Sequence, residues 1–319
     1  MSQFQKSYKD TIRNLKLEKK EDIEYNQLFN SYLLPIKNSS ELNNFIKINE
    51  YKSANSQLID FTKQREKDYY DNIIKYLPSI IDDQFIDSDY LTGLYFNKML
   101  KLKNSSCFIA GFVKDAVLRG LSYNNIIKYY GCDKIFNPSN KRKYINGIAR
   151  KCDVHDINSV RSINLQMGEH LPVKSLDLYL CDIKANTYQD LLCSYLIQHS
   201  FMKLKCIVIL RMPNTLELNS IYNLLSFFTN YYKNVSIFKT PWGINPKYYI
   251  ILKEQKKEID SAKHNKLIIY AKNKIDYIFD DYINPEELSK LKDNILHLIN
   301  HEENNTDEII LNDCLELIK

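Results

Sequence analysis

Residues that could do chemistry are thinly spread in this 319-residue chain. The six histidines, at 155, 170, 199, 264, 297 and 301, are dispersed. His297 and His301 have the i,i+4 spacing of one helix face but lack the glutamate of a zinc-protease helix. The seven cysteines (Cys107, Cys132, Cys152, Cys181, Cys193, Cys206 and Cys314) include no C-x-x-C pair, and several sit inside apolar runs. That pattern suits buried thiols in a reducing compartment and predicts neither a disulfide nor a metal site. Lys-Ser pairs lack the preceding glycines of a phosphate loop, and no nucleophile elbow is visible. One acid stands out. Asp182 closes the apolar run Leu178-Tyr-Leu-Cys-Asp182, at the end of a predicted strand. An acid in that place, followed by Lys184 and Asn186, is more often a turn or cap residue.

The elements that would position Asp182 alternate in type. Cys107-Phe-Ile-Ala-Gly-Phe-Val113, Leu176–Cys181, Lys205–Leu210, Val235–Phe238 and Tyr248–Leu252 are short apolar runs whose length and β-branched content predict buried strands. Between them, Asn186-Thr187 caps a helix with Leu191, Leu192, Tyr195 and Leu196 on one face. Asn214-Thr215 precedes a second helix, where Leu218, Ile221, Leu225 and Phe228 recur at helical spacing. The last two strands are close enough for an antiparallel hairpin through Pro241-Trp-Gly243. Asn284-Pro285-Glu286-Glu287 starts a further helix with a cap, a proline and two acids at its positive end. Leu288, Leu291, Ile295, Leu298 and Ile299 form its apolar stripe. This alternation predicts an open α/β sheet, with a helical N-terminal extension over 1–85, the α/β domain over 86–255, and C-terminal helices over 256–319 packed on it. Within the extension, Asp71–Leu77 is a predicted helix stopped by Pro78, and Tyr32-Leu-Leu-Pro35 a break between helices.

Composition is that of an ordinary globular chain, 44% hydrophobic and 26% charged. Its net charge of +5 is mild, compatible with lying near RNA or with a plain solvated surface. Met1 to Lys20 is polar and charged, unlike a secretory signal, and no apolar stretch approaches the roughly 20 residues of a membrane span. The expectation is an intracellular protein with no membrane partner.

A sheet ending in a hairpin, with an Asp closing a central strand, resembles the Rossmann-like fold of the FtsJ-like RNA ribose methyltransferases from about Cys107 to Lys253. That family has a Gly-rich turn after its first strand, where the backbone meets the nucleoside-methionine cofactor. Here the turn reads Ala110-Gly-Phe-Val-Lys114, one glycine followed by bulk, which predicts no cofactor site. The family's Lys–Asp–Lys–Glu tetrad fares no better. Asp182 matches the Asp, but Arg211 stands nearest the second Lys, and Lys247 stands where the Glu belongs. Arg does not give up its proton, and a base in place of an acid inverts the local charge. No catalytic residue is assigned.

A second resemblance covers about 88–262. Leu94-Tyr-Phe96, Ile127-Lys-Tyr-Tyr-Gly131, Leu178–Lys184, Lys205–Pro213 and Tyr232–Phe238 look, in that order, like the small subunit of the poxvirus mRNA-capping enzyme. That family is a shortened FtsJ-like fold without catalysis. The resemblance implies a heterodimer with the catalytic large subunit, stimulation of its cap guanine-N7 methyltransferase, a part in viral transcription termination, and a virion and host-cytoplasm location. The alternative is an active FtsJ-like ribose 2′-O-methyltransferase with a divergent cofactor turn. Tyr95 and Phe96 are candidate partner anchors or core residues. Lys141, Arg142 and Lys143, with Arg150 and Lys151, are candidate RNA-facing cations or a solvated loop.

Overall fold

A computed structural model of the chain describes residues 30–37, 44–47, 56–64, 87–102, 105–111, 115–122, 128–134, 149–168, 174–196, 201–279, 284–301, 313, 314 and 317. Its centre is an eight-stranded sheet. In chain order its strands are β1 (Leu33–Ile36), β3 (Ser106–Ala110), β4 (Lys128–Asp133), β5 (Ala149–Lys151), β6 (Leu176–Cys181), β7 (Met202–Arg211), β9 (Tyr232–Lys239) and β10 (Tyr248–Gln255). A separate pair joins β2 (Leu58–Asp60) to β8 (Thr215–Glu217). The helices are α1 (Ser88–Leu100), α2 (Asp115–Leu121), α3 (Ile157–Gly168), α4 (Tyr188–Leu196), α5 (Leu218–Tyr231), α6 (Ser261–Lys272) and α7 (Pro285–Asn300).

Across the large sheet the order is β1-β9-β10-β7-β6-β3-β4-β5. Strands β5, β4, β3, β6 and β7 are mutually parallel, and β10 runs antiparallel between β7 and β9. A parallel sheet with helical crossovers and one reversed strand inserted beside its edge is the Rossmann-like methyltransferase plan. The chain order reverses between β3 and β6. In such sheets the crevice at the carboxyl ends of those strands receives ligands.

Strand residues alternate between two cores, as the period of two requires. Cys107, Ile109, Leu178, Leu180, Ile209, Tyr249 and Ile251 face α1 and α2. Phe108, Ala110, Tyr179, Cys181, Val208, Leu210 and Ile250 face the layer formed by α3 to α7. Helices α1 and α2 cross with backbones touching. A Cβ on Gly93 would stand 2.1 Å from the Val117 carbonyl oxygen, and one on Gly120 2.1 Å from that of Tyr90. Only glycine fits at this crossing.

The hairpin forms as predicted, with Tyr248 opposite Lys239, and Asn284 caps α7 by accepting from the Glu286 N–H at 3.0 Å. One local reading is corrected. Leu33–Ile36 is a strand instead of a helix break: it pairs with β9 at the sheet edge, a place that tolerates Pro35. The helix expected after Asn214-Thr215 is α5, beginning at Leu218, and Thr215–Glu217 before it pairs as a short strand with Leu58–Asp60. The predicted helix over 71–77 lies outside the described residues. Among the described residues no helix is long and apolar enough to cross a membrane.

Candidate functional site

Asp182 follows the last residue of β6, and Gly111 the last residue of β3, so both stand at the point where the strand order reverses. The Asp182 N–H donates to the Ala110 carbonyl at 3.0 Å, and the Gly111 N–H to that of Cys132 at 3.0 Å. These bonds continue the parallel ladder one residue past each strand and fix both loops against each other. Gly111 has φ +89°, and a Cβ there would lie 2.8 Å from Ile183 Cγ1. The space beside this glycine is filled by the Ile183 side chain. Of the bulky residues expected to crowd the turn, Phe112, Val113 and Lys114 lie outside the described residues.

The Asp182 carboxylate is enclosed, its side chain 3% exposed. Tyr249, on the adjoining end of β10, donates its hydroxyl to Oδ1 at 2.6 Å. Arg211, at the end of β7, donates Nη1 to the Asp182 carbonyl at 3.0 Å and lies 3.7 Å from Oδ1. Lys247, just before β10, places Nζ 3.7 Å from Oδ2. That ammonium also bonds Asp89, in the first turn of α1. Thr240 and Lys247 close the hairpin with two further bonds, Lys247 N–H to Thr240 Oγ1 and Thr240 N–H to the Lys247 carbonyl.

The result is a neutral set of two carboxylates and two cations, drawn from α1, β6, β7 and the start of β10. The position expected to hold an acid does hold Lys247, yet the local charge is not inverted, because Asp89 supplies the missing carboxylate. Nothing in the sequence points to Asp89: one acid in a helix first turn carries no sign of a partner 158 residues away. Burial, and then the charge of Asp182, push the Tyr249 hydroxyl well above the usual phenol range. The neighbouring Cys181 thiol is pushed up to about 12 by burial and is protonated at neutral pH. Chemically, each Asp182 oxygen already faces a donor or cation, so the set is built to hold four elements together.

Two further acids lie at the carboxyl edge. Asp133 ends β4 and is 7% exposed. Asp153, just beyond β5, accepts from Lys134 at 2.8 Å and from the His155 N–H at 3.2 Å. These contacts hold its carboxyl below the usual range against the opposing effect of burial, which is the largest single influence. Neither was singled out from sequence, since β4 and β5 are too polar to read as strands.

The other sequence candidates scatter. Tyr95 and Phe96 are core residues, 3% and 0% exposed, which corrects their candidacy as surface anchors. Tyr95 stacks on Phe238 with centroids 4.5 Å apart, and Phe96 meets Tyr249 edge-on at 5.3 Å. Trp242 closes the same cluster, donating Nε1–H to Thr92 Oγ1 at 2.8 Å. Lys141, Arg142 and Lys143 lie outside the described residues, and Lys151 is an exposed residue of β5.

No family model matches the sequence, and no curated protein does. The solved structures that match it include methyltransferases. A putative ribosomal RNA methyltransferase from Plasmodium falciparum is 17% identical, with a TM-score of 0.39, over 53% of this chain and 97% of that one. A putative S-adenosyl-L-methionine-dependent methyltransferase from Methanococcus maripaludis is 12% identical, with a TM-score of 0.33, over 62% and 99%. Human methyltransferase-like protein 13 is 9% identical, with a TM-score of 0.36, over 70% and 95%. The fold assignment rests on strand order and direction, not on these scores.

Proposed function

We propose that this chain is a non-catalytic regulatory subunit, a methyltransferase-fold protein that pairs with the catalytic large subunit of an mRNA-capping enzyme and raises its cap guanine-N7 methyltransferase activity. The observation that carries the reading is the enclosure of Asp182, hydrogen-bonded by Tyr249 and flanked by the Arg211 and Lys247 cations at 3.7 Å, in the place where a ribose methyltransferase keeps its working acid. Ile183 packed beside Gly111 supports it, since that is where a nucleoside-methionine donor needs room. The poxvirus capping resemblance supplies the partner, the role in viral transcription termination, and the virion and cytoplasmic setting. Its segments fall on α1, β4, β6, β7 and β9, in chain order. A partner acting this way stabilises the substrate-competent state of the catalytic domain, and each tenfold of stimulation needs about 1.4 kcal/mol of differential contact.

The test is co-expression with a capping-enzyme large subunit, followed by cap guanine-N7 methylation assayed with and without this chain. Stimulation of tenfold or more is expected, and an unchanged rate defeats the proposal. A second reading, an active ribose 2′-O-methyltransferase, is favoured by one observation. Asp133 ends β4 about 20 residues beyond Gly111, the offset at which dinucleotide folds present an acid to a ribose diol. Methyl transfer to the ribose of capped RNA by the isolated chain would establish it.

A further inference from the structure

A basic stretch lies far from the Asp182 set. Residues 253–274 hold seven lysines against Glu254, Glu258 and Asp260, an excess of four. All three acids are paired: Glu254 with Lys233, Glu258 with Lys174, Asp260 with Lys263. The segment leaves β10 at Gln255, opposite Tyr232, the first residue of β9. It therefore emerges at the amino-terminal edge of the parallel strands, across the sheet from Asp182.

There α6 begins, capped by Asp260, which accepts from the Lys263 N–H at 2.8 Å. A groove of about 700 Å³ opens beside it, lined by Asn44, Phe45, Lys47, Asp260, Lys263 and Lys266. Phe45 is half-buried, stacked on Tyr270 with centroids 6.3 Å apart. Lys266 holds its ammonium 5.3 Å from the centre of that ring, and Lys257 holds its own 5.1 Å from the centre of Tyr231. Cation–π contacts of this kind place charges in advance, so less side-chain entropy is lost when an anion arrives. Among the described residues Lys266, Lys272 and Lys274 make no ion pair, and all three are exposed.

We infer that the α6 face and its groove bind the backbone of single-stranded RNA. The inference does not rest on the regulatory reading above. Lysines spread over a helix about 18 Å long match several successive phosphates. The segment contains no arginine, the residue suited to bidentate capture of a peptide carboxylate. Held over the Phe45 ring, the Lys266 ammonium stands in a concave basic groove as a point charge for a phosphate. A membrane is a poorer fit: Leu267, Tyr270 and Ala271 of α6 are buried inward, and the one large apolar side chain the helix exposes, Ile269, makes no continuous face to insert.

The test uses the full chain and a fluorescein-labelled single-stranded RNA of about 20 nucleotides, with anisotropy read from about 50 to 300 mM KCl. The Lys266→Glu/Lys272→Glu/Lys274→Glu triple is expected to lower affinity at least tenfold at about 100 mM. It should flatten the log–log salt dependence by about 2, since each lost contact to a single strand removes about 0.7. A control triple with the same charge change elsewhere, Lys101→Glu/Lys205→Glu/Lys290→Glu, should change affinity less than about twofold. The matching glutamine triple, which adds no repulsion, should weaken binding in the same direction with circular dichroism unchanged. Equal losses in both glutamate triples, no RNA binding by the native chain at about 50 mM, or tighter binding to phosphatidylserine vesicles than to RNA would each overturn the inference.

Discussion

Putting the acid back at position 247 should break the fold's carboxyl edge, and do so in a pH-dependent way. Lys247 Nζ stands 3.7 Å from Asp182 and bonds Asp89, with side-chain exposures of 15%, 3% and 20%. One such pair has a Coulomb energy of about 4 kcal/mol at an effective dielectric near 20. After the desolvation that Lys247 no longer suffers, its removal leaves two carboxylates facing Arg211 alone, at a cost of about 3 kcal/mol. Lys247→Gln should therefore lower Tm by about 6 °C. Lys247→Glu adds a third carboxylate in nearly the same volume. Its extra penalty at pH 7 is capped at about 4 kcal/mol, because one of the three acids can take up a proton instead. The gap between the Glu and Gln variants should shrink toward about 1 kcal/mol at pH 5, where that proton is easily gained. Urea denaturation of the native chain and both variants at the two pH values reads this directly. A Glu variant as stable as the Gln variant at pH 7, or a gap that does not move with pH, would refute the ion-set reasoning.

Other outcomes follow from the same structure. Lys239 is 2% exposed and donates to the carbonyls of Leu298, Ile299 and His301 at 3.2, 2.9 and 3.0 Å, closing the end of α7. Lys239→Met should cost about 2 kcal/mol and speed amide exchange in the last turn of α7, while unchanged exchange would argue against the cap. Gly120→Ala drives a Cβ into the Tyr90 carbonyl and should destabilise by about 3 kcal/mol. Gly168→Ala, whose nearest neighbour would be Phe201 at 3.7 Å, should be neutral or slightly stabilising in thermal melts. Burial holds the His155 and His264 imidazoles below their usual range. The unfolded chain then binds protons first as pH falls below about 6.5, so their contribution is present above that value and lost below it. The His155→Gln/His264→Gln variant should lose less Tm between pH 7.5 and 5.5 than the native chain.

Much of the sheet was legible because its central strands are continuous apolar runs. Leu176–Cys181 appears with the bounds that its residues suggest, and Val208, Leu210 and Ile250 are as buried as such runs require. Edge elements were harder to read. Pro35 looks like a helix break until β9 is known to lie on one side only, and Ala149-Arg150-Lys151 has no apolar content to announce a strand. The candidate site was half legible. Asp182, Arg211 and Lys247 stand out only through the FtsJ-like resemblance, whereas Asp89 and Tyr249 complete the set through contacts between elements that no local pattern encodes. Tyr95 and Phe96 illustrate the converse: an aromatic pair suits an interface and a core equally well, and only the packing of α1 against β9 and β10 decides.

On the proposed regulatory role, this fold uses no methyl donor of its own. Isothermal titration of S-adenosylmethionine into the full chain measures it most directly. No binding heat is expected at donor concentrations up to about 1 mM, a ceiling of roughly 4 kcal/mol on any association. Saturable binding with a micromolar Kd would contradict it.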